Sequence, residues 1–120
     1  MSDQIAYKIF QPQEWDSFQS LGRFDGSPVD KDDGFIHLSF ADQLEETLDK
    51  HYSAVPSVVI ALIDLTHYEE TLKLEPSRGG TLFPHIYGSL GLDSVSQSWD
   101  LWSKPDGQYD ISDFLVTGQV

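Results

Sequence analysis

Ser57-Val58-Val59-Ile60-Ala61-Leu62-Ile63-Asp64-Leu65 holds an unbroken apolar run from Val58 to Ile63. A run this short, rich in β-branched residues and without polar alternation, predicts a strand buried on both faces, placed at the centre of a sheet. Upstream, Ile5, Tyr7 and Ile9 alternate with Ala6 and Lys8 as a first strand. Pro12 then opens a short helix with Trp15, Phe18 and Leu21 on its apolar face and Gly22 as its cap. Arg23 to Gly34 is dominated by Asp, Gly, Ser and Pro and reads as a long loop of the kind that serves a site. Phe35 to Leu38 reads as a strand. Ser39, with Asp42 and Gln43, resembles a helix start whose apolar positions are Leu44, Leu48 and Tyr52. Beyond the central strand come an extended piece at Leu72–Glu75, an imperfect alternation of Val95, Trp99 and Trp102 within Ser94–Ser103, and a final strand near Phe114–Val116. The expected class is α+β with two main helices.

The 120 residues, without a linker-like stretch, predict one domain over 1–120. Three Trp, five Tyr and seven Phe supply enough large side chains for a core. The absence of Cys removes disulfides, thiolate catalysis and Cys-ligated zinc from the chemistry. No basic and apolar leader opens the sequence and no run reaches the roughly 18 apolar residues of a membrane span, so a cytoplasmic, membrane-free protein is expected. A formal charge of −13 repels polyanions, which disfavours nucleic-acid scaffolding. A small anion or nucleotide can still be held locally by one Arg or by backbone N–H groups.

Two segments carry more chemistry than their surroundings. In Gly34-Phe35-Ile36-His37-Leu38-Ser39, strand alternation sends Phe35, His37 and Ser39 to one face and Ile36 and Leu38 to the other. An imidazole and a hydroxyl would then share a pocket wall. The bland alternative is a His satisfied by backbone and a Ser that only caps the next helix. In Glu75-Pro76-Ser77-Arg78-Gly79-Gly80-Thr81-Leu82-Phe83-Pro84-His85-Ile86-Tyr87-Gly88, Arg78 beside Gly79 and Gly80 places a guanidinium next to backbone that can approach a phosphate or carboxylate closely. An ordinary glycine turn with a solvated Arg fits the same residues. His85, followed by Tyr87, reads either as a second polar pocket group or as part of a packed aromatic cluster.

His51, late in a helix, and His67, in a polar turn, read as structural. Metal binding by His37, His85 and Glu75 lacks a recognised ligand spacing, and none is assigned. The phosphate-binding glycine loop, the dinucleotide fingerprint and the nucleophile elbow are missing from the sequence.

Tyr7-Lys8-Ile9, Trp15, Gly26-Ser27-Pro28 with Asp30, Asp33-Gly34-Phe35-Ile36-His37-Leu38-Ser39, Glu75-Pro76-Ser77-Arg78-Gly79-Gly80 and Phe83-Pro84-His85-Ile86-Tyr87-Gly88 occur in the order found in the bacterial domain-of-unknown-function family 952 (DUF952), which the chain resembles over about residues 5–100. The resemblance implies a compact fold similar to ADP-ribosyltransferases and NAD-dependent RNA 2′-phosphotransferases, with a bent, split antiparallel or mixed sheet forming an NAD cleft. It also implies that His37 with Ser39 binds a nicotinamide ribose, that His85 corresponds to the second His of the phosphotransferase-like branch, and that Arg78 serves phosphate. The chain departs from that pattern in Leu38, where Gly is common. The transfer glutamate has no evident counterpart, and the chain has only two Arg.

Three readings follow. The first is an NAD- or nucleotide-handling enzyme, ADP-ribosyltransferase-like or 2′-phosphotransferase-like, with His37 and His85 catalytic and Ser39, Arg78, Gly79, Gly80 and Tyr87 binding the ligand. The second is a non-catalytic domain that binds a nucleotide or phosphorylated metabolite through the same groups. In the third, both histidine motifs only stabilise the fold.

Overall fold

The computed structural model describes residues 4–53, 55–76, 80–106 and 109. The predicted central strand is β4, Ser57–Asp64. It lies between β1, Ile5–Phe10, and β8, Val95–Trp102, both antiparallel to it. Val59, Ala61 and Ile63 belong to one core cluster, and Val58, Ile60 and Leu62 to another on the opposite face. This double burial is why the run needs no polar alternation. One face is covered by α3, Ala41–His51, through Leu44 and Leu48. The other receives Phe18 of α1, Pro12–Leu21, and the second and third sheets.

The second sheet pairs β2, Arg23–Phe24, with β7, Leu90–Gly91. The third has the order β3, Ile36–His37, then β6, Leu82–Ile86, then β5, Leu72–Pro76. The class is α+β, with three antiparallel sheets and three helices among the described residues. Among the described residues a single bridge joins the first sheet to the third: Tyr7 N donates to Ser39 O at 2.7 Å and Ser39 N to Tyr7 O at 2.9 Å, directly after Leu38 N has bonded Pro84 O. The segment 36–39 is thus shared between two sheets.

Several expectations need correction. Residues 23–34 are not one long loop: they hold β2 and α2, Pro28–Asp33. Ser27 caps that helix, Asp30 returns a bond to Ser27 N at 2.9 Å, and Gly34 ends it in the left-handed conformation. The helix is too short to show an apolar period, so only its caps were available as a signal. Leu21 is 77% exposed, because two three-residue steps leave it about 120° around α1 from Trp15. Helix α3 begins one residue later than expected, with Phe40 at the N-cap and its N–H bonded to the Gln43 side chain, so Ser39 is not the cap. The faulty alternation in β8 has a cause: the register slips at Leu62/Ile63, so Ser96 is the extra residue of a bulge. Val95 therefore packs with one core cluster, and Trp99 and Leu101 with the other. The strand expected at Phe114–Val116 lies outside the described residues, of which no helix is long and apolar enough to cross a membrane.

Candidate functional site

Register brings the two motif histidines together. His37 of β3 is paired with His85 of β6, and their rings stand edge to face with centroids 5.4 Å apart. One position along, Ile36 pairs with Ile86 and both point into the core. Phe35 stacks on His85 at 4.1 Å and also meets His37 and Tyr87, at 4.7 and 5.1 Å. On β5, Lys73 lies opposite His85 and sets its ammonium 4.8 Å from the centre of the Tyr87 ring. The outer face of the third sheet is therefore an aromatic and imidazole platform.

Each imidazole is held by a carboxylate. His37 Nδ1 lies 2.6 Å from Asp30 and Nε2 2.9 Å from Asp33. Carboxylates only accept, so satisfying both requires the ring to donate through both nitrogens. His85 Nδ1 lies 2.8 Å from Glu75 Oε1, which also accepts from Tyr87 OH at 2.8 Å. The bond from His85, reinforced by that from Tyr87, holds the Glu75 carboxyl below its ordinary range, and the same carboxylate pushes the Tyr87 phenol up.

Asp30 is the buried centre. β1 turns Ala6, Lys8 and Phe10 to one face, and Lys8 reaches Asp30 Oδ2 at 2.9 Å and the His37 carbonyl at 3.0 Å. Asp30 accepts from Lys8, Ser27 N, His37 N and His37 Nδ1. Burial pushes its carboxyl up, but the bond from His37, the Lys8 charge and the Ser27 N–H outweigh that, leaving it well below the usual carboxylate range. For Lys8 burial prevails over the nearby Asp30, and its ammonium is pushed down.

Gly26 permits this packing: its φ of +125° is one that side-chain-bearing residues rarely adopt, and a Cβ there would sit 2.9 Å from Asp30 Cβ. Gly26→Ala is expected to cost about 1–3 kcal/mol through that strain. Urea unfolding measures the loss, and an unchanged midpoint would disprove it.

The other sequence candidates fall differently. Ser39 is buried with its hydroxyl 3.2 Å from Thr47 of α3, and no hydrogen bond between its hydroxyl and His37 occurs among the described residues. Gly80 adopts φ +82°. Arg78 and Gly79 lie outside the described residues. Lys8, Asp30, Asp33 and Phe35 were not singled out as site residues. Asp30 stands in the family-resemblance motif with Gly26-Ser27-Pro28, and the helix-start pattern Ser27-x-x-Asp30 is a second signal for it. Among the described residues no three His, Cys, Asp or Glu side chains could share a metal ion. Two surface clefts of about 380 and 390 Å³ lie elsewhere, one beside Trp15 and Trp102 and one beside Tyr68, and neither is lined by His37 or His85.

All of these site residues except Lys8 fall within the match to a family model: that of DUF952, described as a protein of unknown function, matches residues 9–98. The chain belongs to DUF952. Its fold is similar to that of protein CC0527 from Caulobacter crescentus. The crystal structure is 40% identical in sequence, covers 93% of this chain and 98% of that chain, and has a TM-score of 0.89. The solution structure is 39% identical, covers 98% of this chain and 99% of that one, and has a TM-score of 0.83. No curated protein matches this DUF952 chain.

Proposed function

We propose that this DUF952 protein is a cytoplasmic, ADP-ribosyltransferase-like enzyme that handles NAD or a related nucleotide on the His37/His85 platform. The observation that carries the reading is the pairing of two carboxylate-held imidazoles beside a stacked Phe35 and an edge of Tyr87. A planar base finds aromatic surface there, and ribose hydroxyls find both donors and acceptors. Asp33 and Glu75 make the face rich in acceptors, which favours the sugar end of a nucleotide over its phosphates; phosphate falls to Arg78 and the Gly79–Gly80 backbone. The split between the first and third sheets, joined by one bridge among the described residues, is in keeping with the split sheet of that fold.

Thermal shift tests the reading, with wild type and His37→Ala each exposed to NAD, ADP-ribose, nicotinamide and 2′-phosphorylated nucleotides. A ligand at 100 times its Kd adds about 2.7 kcal/mol, so the melting temperature should rise by several degrees in wild type and not in the variant. No shift with any of these at millimolar concentration would end the nucleotide reading. A second reading, binding without turnover, is favoured by His37, whose two ring nitrogens are both engaged by carboxylates and keep no lone pair to accept a proton. Saturable stabilisation with no product would select it.

A further inference from the structure

The two imidazoles are not equivalent. His37 faces a carboxylate at each ring nitrogen. Its two N–H groups are taken up by Asp30 and Asp33, and no lone pair is left for a ligand. His85 has its carboxylate at Nδ1 alone, and its Nε2 has no hydrogen-bond partner among the described residues while keeping some contact with solvent. Glu75 Oε1 already accepts from Tyr87 OH, so it meets the ring as an acceptor and requires the proton on Nδ1. In the neutral ring that leaves the lone pair on Nε2.

We infer that His85 is the proton acceptor of this face, with Glu75 as the positioning residue that fixes its tautomer, Tyr87 as the residue that holds Glu75, and His37, engaged by Asp30 and Asp33, outside the proton step. The assignment of a role in chemistry rests on the functional reading above; the tautomer does not. In the proton step, a ligand hydroxyl bonded to Nε2 gives up its proton to that nitrogen and keeps the O–H bonding pair as an oxyanion. The ring becomes an imidazolium, with its Nδ1–H still on Glu75 and its new Nε2–H facing the oxyanion. The Glu75 carboxylate stabilises the positive charge that forms, and the His37 ring, 5.4 Å away between centroids and held by Asp30 and Asp33, takes no part in the transfer.

The test is long-range proton–nitrogen NMR of the ligand-free chain at a pH where His85 is neutral. Wild type should show the Nδ1–H tautomer. Glu75→Leu should move the majority to Nε2–H, because the acceptor that requires the proton on Nδ1 is gone. Tyr87→Phe, which removes only a hydroxyl, should keep the wild-type tautomer. A wild-type ring protonated at Nε2, or a tautomer indifferent to Glu75→Leu, would overturn the assignment. Because no nucleotide is present, this failure is distinct from a failure of nucleotides to stabilise the chain.

Discussion

Asp30→Ala is expected to lower the stability of the chain by about 3–5 kcal/mol, the loss typical of removing one partner from a buried ion pair. Lys8 and Asp30 are nearly sealed from solvent, with side-chain exposures of 5% and 3%. Without the carboxylate, the Lys8 ammonium keeps one hydrogen bond among the described residues, to the His37 carbonyl, and Ser27 N and His37 N lose their acceptor. Lys8→Met should cost less, because Asp30 would retain Ser27 and His37 as donors. Urea unfolding at pH 7 measures both, and equal losses would show that the ion pair itself is the whole effect. The sign of the pH dependence is fixed by the depressed carboxyl of folded Asp30. Its contribution is complete above the unfolded value of about 3.9 and is lost as pH falls below that and through the folded value. The gap between wild type and Asp30→Ala should therefore narrow below about pH 4. A gap that widened in acid would refute the account.

Legibility from sequence followed the reach of each signal. Local periodicity placed β1, α1 and β4, because apolar spacing within one element reports which face is buried. It failed for α2, whose six residues carry capping chemistry and no apolar stripe. It also failed at Leu21, where three-residue spacing drifts off the face of a helix, and in β8, where one extra residue moves the inward side. His37 and His85 were legible as chemistry-bearing residues, but their pairing is a matter of strand register between segments 48 positions apart, which no local pattern encodes. The carboxylates that orient them were hidden for another reason. In a chain with twenty acidic residues, Asp30 and Glu75 look like their neighbours until the fold buries one and turns the other toward an imidazole.

Ile86→Ala should test how far the platform depends on the core beneath it. Ile86 is fully buried, pairs with Ile36 on one side and Leu72 on the other, and sits one residue after His85 on β6. Truncation removes three carbons from the centre of the third sheet's inner face, where rigid neighbours on β3 and β5 limit collapse into the gap. The expected loss is about 2–5 kcal/mol, against about 0.5–1.5 for Ile86→Val, which removes a single methyl group. Because alternate residues of one strand serve opposite faces, the same cavity should loosen the register that sets His37 against His85. Two observables separate these effects: urea midpoints report the packing loss, and ring NMR shifts of His85 from Phe35 stacking report the platform. If Ile86→Ala unfolds at the wild-type midpoint, the third sheet is not anchored through Ile86. If stability falls while the His85 ring shifts stay fixed, the platform is held from above by Glu75, Asp30 and Phe35 rather than by the core below.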